Sequence, residues 1–147
     1  MKKFKFNLET VLKYRGMIEE REKNQMAKLN SEMILLENQL TQLREGYRNE
    51  VAEFEQATQT GVKVQEILGR QLIIANIEYA IESKLNEIKA HQRLISRQTA
   101  VVVKATQDSK TIEKLKEKSL KNYDKEVAKE TEKFIEEFVS YKTLRKD

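Results

Sequence analysis

Apolar side chains recur at helical spacing along almost the whole chain. Met26, Leu29, Met33, Leu36, Leu40, Leu43 and Tyr47 step alternately by three and four residues, the a/d pattern of a coiled coil. Val51 and Phe54 continue it after a one-residue slip near Gly46. Upstream, Leu8 and Leu12 extend the stripe, although Arg15, Glu19 and Glu22 dilute it, and Asn7 is the expected N-cap because its side chain can accept a backbone N–H. The one strong interruption is Ala57-Thr58-Gln59-Thr60-Gly61-Val62, where Gly61 can adopt the positive φ that ends a helix. Beyond it the pattern resumes with Ile67, Leu68, Ile74, Ile77, Ile81, Leu85, Ile88, Ile95, Val102, Ala105, Ile112 and Leu115. It runs on through Leu120, Tyr123, Val127, Phe134, Phe138 and Tyr141.

The spacing predicts an all-α chain: a single long antiparallel two-helix coiled-coil hairpin over residues 1–147. Its helices are expected at about 8–57 and 64–142 with a turn at about 58–63, because a lone amphipathic helix would leave its stripe in water. The arms are unequal, ~75 Å against ~118 Å at 1.5 Å per residue. With the turn centred on Gly61, facing positions should have numbers that total about 122. Residues beyond about Leu115 then form a C-terminal overhang, carrying Leu120, Tyr123, Val127, Phe134, Phe138 and Tyr141 toward a partner or toward a second copy of the chain. Glu113–Lys116, Glu117–Lys121 and Glu126–Lys129 are spaced to support that helix by ~0.2–0.5 kcal/mol each.

Composition sharpens this picture. The absence of proline fits long uninterrupted helices, and the absence of cysteine removes disulfides and thiolate metal sites. No apolar run exceeds four residues, far short of the ~20 of a membrane span, and no signal-peptide core follows the charged start. A reducing cytoplasm is the expected setting. The formal charge of +4 is mild. Between Lys110 and Lys129 lysines alternate with Glu113, Glu117, Asp124 and Glu126, which reads as a solvated helix face and argues against nucleic-acid or membrane-surface binding.

Candidate chemistry is sparse. The lone His91 falls on or beside the seam and reads as a packing residue; without a second His or a Cys, a transition-metal site lacks ligands. Glu19-Glu20 and Glu136-Glu137 are neighbours that point about 100° apart on a helix and stay solvated. No phosphate-cradling GxxxxGK[ST] loop occurs. The expectation is therefore a non-enzyme with no catalytic residues, no cofactor and no metal.

Three blocks of residues carry a resemblance. Phe4-Lys5-Phe6-Asn7-Leu8-Glu9-Thr10-Val11-Leu12-Lys13-Tyr14-Arg15 is similar to the signature F-x-F-x-L-x-x-L/V-L-x-x-R of the FliJ family. Lys110-Thr111-Ile112-Glu113-Lys114-Leu115-Lys116-Glu117-Lys118, followed by Tyr123 and Glu126, resembles its E-K-L-K-E-K…Y-x-x-E block. Glu132-Lys133-Phe134-Ile135-Glu136-Glu137 resembles its closing E/Q-K-x-x-D-E, with Glu136 where the family usually has Asp. The likeness spans the whole chain and includes the central break.

The resemblance implies a coiled-coil hairpin like the central γ stalk of rotary ATPases, serving the bacterial flagellar type III export apparatus, flagellum assembly and motility. It implies three partners: a hexameric export ATPase, the cytoplasmic domain of the membrane export gate, and export chaperones. No nucleic acid and no direct membrane insertion are implied, and the location is the cytoplasmic face of the membrane at the flagellar base. By the same resemblance, Phe4, Phe6, Leu8, Leu12, Arg15, Phe134, Phe138 and Tyr141 would contact the ATPase. Gln39, Leu43, Ile73, Ile77, Ala80 and Lys84 would meet the gate. Read from the residues alone, the first set could equally be an end-of-coil cluster, and Leu43 and Ile77 fit plain seam packing. A generic structural coiled coil that homodimerises through the C-terminal aromatic stripe is the alternative function.

Overall fold

The computed structural model describes residues 2–146. Two helices account for nearly all of them: α1, Glu9–Thr60, and α2, Val64–Lys146. They pack antiparallel as a hairpin. The first ladder bond of α1 runs from Leu12 N–H to the Leu8 carbonyl at 2.8 Å. Leu8, not Asn7, therefore occupies the N-cap position, and an acidic Glu9 in the first turn complements the helix dipole.

α1 continues three residues past its expected end. The hydroxyl of Thr58 donates to the Glu55 carbonyl at 2.7 Å, and that of Thr60 to the Gln56 carbonyl at 3.1 Å. Such back-bonding lets these threonines sit inside the last turn. Gly61, at φ +77°, then makes the left-handed step that reverses the chain. α2 starts at once, with the Lys63 carbonyl accepting from Glu66 N–H at 3.0 Å and Ile67 N–H at 3.2 Å.

The expected slip near Gly46 is absent. Buried and half-buried positions of α1 step by three and four without interruption from Leu12 to Ala57, and Tyr47 is followed by Glu50, Phe54 and Ala57. Glu50 hides the register in the sequence because a charged residue holds a seam position, its stem covered and its head in water. On α2 the same stepping runs unbroken from Ile67 to Tyr123.

By packing, the chain divides into two compact units, Glu22–Val102 and Met1–Arg21 with Val103–Asp147. In the first, Leu29, Met33, Ala57, Ile88 and His91 are buried. Polar pairs flank this core: Glu22 with Gln98, Gln39 with Lys84, Tyr47 with Glu78 and Glu53 with Arg70. In the second unit Ala105 and Ser109 are buried, Arg15 meets Asp108 at 3.5 Å, and Glu9 meets Lys116 at 2.9 Å. The numbers of these facing residues total within a few of the value a turn at Gly61 requires.

Candidate interaction surfaces

The segment before α1 lies along α2 and shortens the overhang. The Tyr123 hydroxyl donates to the Lys2 carbonyl at 2.6 Å, and the rings of Phe4 and Tyr123 stand 5.4 Å apart. Tyr123 and Val127 are half-buried, so they belong to the hairpin rather than to its free end. The expected break at Leu115 assumed that cover stops where α1 stops; a non-helical strap of residues 2–8 extends it. Lys116, spaced for Glu113, is engaged by Glu9 instead.

Residues 128–145 are all exposed. Phe134 is 68% exposed, Phe138 54% and Tyr141 62%, and Ile135, Val139 and Leu144 are exposed beside them. Leu120, Val127, Phe134 and Tyr141 recur every seven residues, one heptad position beside the seam, so the stripe continues along a single flank of α2. Lys142 Nζ lies 5.7 Å from the Phe138 ring centre. This is a large apolar area for a chain whose charged residues amount to 35%, and such surfaces mark interaction sites.

The other residues named from the resemblance lie in several settings. Phe4 and Phe6 are half-buried in the strap, Leu8 is exposed, and Leu12 and Arg15 sit half-buried in the seam, Arg15 held by Asp108. In the unit Glu22–Val102, Lys84 Nζ donates to Gln39 Oε1 at 2.9 Å and to Glu87 Oε2 at 3.0 Å. Leu43, Ile77 and Ala80 are half-buried in the seam, whereas Ile73 is 46% exposed. Three of the six gate residues thus pack inside the hairpin, and two others bind each other.

Among the described residues no group of three or more His, Cys, Asp or Glu could hold a metal ion, and no helix is long and apolar enough to cross a membrane. His91 Nε2 donates to the Leu29 carbonyl at 2.7 Å, with Glu32 Oε2 at 3.8 Å. A carbonyl only accepts, so Nε2 carries a hydrogen. The ring is a seam component.

The profile of the family described as "FliJ: Flagellar FliJ protein" matches residues 4–147. The chain belongs to the FliJ family. Its role is therefore tied to flagellar protein export, in a family of non-catalytic structural and adaptor proteins. No curated protein and no solved structure matches significantly. The FliJ match begins at Phe4 and so takes in both the strap and the exposed tail.

Two features of this FliJ protein escape an apolar count. Seam positions held by Arg70, Lys84, Gln98, Ser109 and Lys116 are found only by counting threes and fours through polar residues. A second apolar row, Val64, Leu68, Leu72 and Tyr79, is exposed on the outer side of α2; its four-, four- and seven-residue steps were available as a signal.

Proposed function

We propose that the chain is a non-enzymatic adaptor of the flagellar type III export apparatus that engages the hexameric export ATPase through the strap and the tail of α2. The observation that carries this reading is the exposed row Phe134, Phe138 and Tyr141, which continues a seam flank after the chain's own cover has ended. A single helix in water is marginal, and an apolar groove in a partner would order and cover it. Phe4, Phe6, Leu8, Leu12 and Arg15 belong to the same compact unit and would complete the contact. Contact with the export gate through Gln39, Leu43, Ile73, Ile77, Ala80 and Lys84 draws on Ile73 as the exposed apolar member. Export-chaperone handling and a cytoplasmic location at the flagellar base rest on family membership.

The test is a titration of the purified full chain with the purified export ATPase. Phe134→Ala with Phe138→Ala should weaken binding at least about tenfold while circular dichroism and thermal melting stay as in the unaltered chain. Unchanged binding overturns the assignment of the tail. A sharp drop in melting temperature would place both rings in the protein's own core. The same exposed row also suits a second copy, so sedimentation equilibrium of the chain alone decides the alternative: a stable homodimer lost in the double variant supports a structural coiled coil.

A further inference from the structure

In sequence order the lysines of residues 110–129 alternate with acids; on the helix they separate. The seam of α2 passes through Ile112, Lys116, Ser119 and Tyr123. Relative to it, Lys114, Lys118, Lys121, Lys125 and Lys129 step by four, three, four and four residues along one side, including the positions farthest from the seam. Glu113, Glu117 and Asp124 fall on the other side, the flank that carries Leu120, Val127 and Phe134. All five lysines are exposed and none forms an ion pair among the described residues. Beyond Lys129 the same side bears Glu132 and Glu136, so the cationic row is bounded at about 22 Å, fifteen residues at 1.5 Å each.

The strap adds to this row. Lys2, Lys3 and Lys5 are exposed and line a cleft with Ser119, Asn122 and Glu126 of α2. Asn122 lies on the lysine side of the seam, so the strap leans toward the row. Eight lysines in a chain of formal charge +4 leave the remainder net negative. That asymmetry orients the molecule toward an anionic surface.

We propose that this lysine row adsorbs to the anionic phospholipid headgroups of a membrane surface, without insertion. The residue chemistry selects that partner. The row is all lysine, a strongly hydrated point charge without the guanidinium fork that pairs carboxylates bidentately. Lysine is also depleted in protein–protein interfaces, whose centres are apolar and aromatic, and no aromatic side chain interrupts the row. Clusters of four to eight basic residues on a helix suit a diffuse layer of acidic headgroups. The aromatic flank points elsewhere, so headgroup contact leaves it free for a protein.

The experiment is co-sedimentation of the full chain with phosphatidylcholine vesicles, with and without phosphatidylglycerol, at physiological salt. Binding should require the anionic lipid and fall steeply with added salt. Lys118→Gln, Lys121→Gln and Lys125→Gln together should lower partitioning roughly a hundredfold, at about fivefold per lysine. Lys89→Gln, Arg93→Gln and Arg97→Gln remove the same charge from another exposed stretch and should leave binding within a few fold. Helicity of both variants is checked by circular dichroism. Equal losses in the two triple variants would mean that net charge alone acts and would overturn the proposal, as would no binding to anionic vesicles. Equally tight binding to a double-stranded DNA oligonucleotide at the same salt would replace the headgroup layer with any polyanion.

Discussion

His91 reaches across the hairpin to the backbone of Leu29: its Nε2 donates to the Leu29 carbonyl at 2.7 Å, from a residue only 8% exposed. That carbonyl sits in mid-helix, where the amide four residues on, that of Met33, is its ordinary partner. The imidazole is therefore a second donor to an acceptor that has one already. Its volume, lodged beside the buried Leu29, Met33 and Ile88, matters more than its hydrogen bond. His91→Ala should destabilise the chain by about 2 kcal/mol through the void it leaves, whereas His91→Leu should stay within about 1 kcal/mol. Urea unfolding followed by circular dichroism separates the two. If His91→Leu is as damaging as His91→Ala, the hydrogen bond rather than the packing sustains this layer.

The glycines give changes of opposite sign. A Cβ at Gly69 or Gly46 meets nothing within 4 Å, and both residues sit inside helices. Gly69→Ala and Gly46→Ala should each stabilise by about 0.5–1 kcal/mol. Gly61 also has open space, but its φ of +77° is the left-handed region. Gly61→Ala should destabilise by about 1–2 kcal/mol. Thermal melts of the three single variants check the signs, and a stabilising Gly61→Ala would show that the reversal does not need the left-handed step.

Most of the hairpin was legible because periodicity of apolar residues is a direct consequence of a seam. Tyr47, Phe54 and Ile67 lie where that count puts them. What it missed are positions where the seam is polar. Glu50 and Arg70 keep their stems covered and their charges wet, so a hydrophobicity count registers a slip or a gap. The strap was unreadable for a different reason: residues 2–8 have no helical period, and nothing local announces that Phe4 stacks on Tyr123. The row of lysines was visible as residues but misread as alternation, because its sorting exists only once the chain is helical.

Arg70 offers a check on how the polar seam works. Its Nη1 lies 3.2 Å from Glu53 Oε2 and its Nη2 3.7 Å from Glu66 Oε1, while the buried Nε has no partner. Both carboxylates are more than half exposed, so the ion pairs contribute under about 1 kcal/mol. The covered stem is the larger part. Arg70→Met, which keeps the stem and relieves the unpaired Nε, should be neutral or stabilising by up to about 1 kcal/mol. Arg70→Ala should destabilise by about 1 kcal/mol or more. Chemical unfolding of both variants at low and high salt decides: a large loss in Arg70→Met that high salt erases would make the charges, not the stem, the dominant contribution.

The strap is held by one aromatic residue, and its release can be read by amide exchange. Tyr123 offers the Lys2 carbonyl its hydroxyl and offers Phe4 a ring face. The hydrogen bond is solvent-exposed, so Tyr123→Phe should cost no more than about 0.5 kcal/mol, the low end for such a bond. Tyr123→Ala removes the ring contact as well, and the segment before α1 then has little left to pack on. Deuterium uptake of a peptide spanning residues 2–8 should rise sharply in Tyr123→Ala and barely in Tyr123→Phe, while residues 22–102 exchange as before. Uptake in Tyr123→Ala equal to that of the unaltered chain would mean that the strap is anchored by something other than this ring. The overhang would then start further along α2 than Val127.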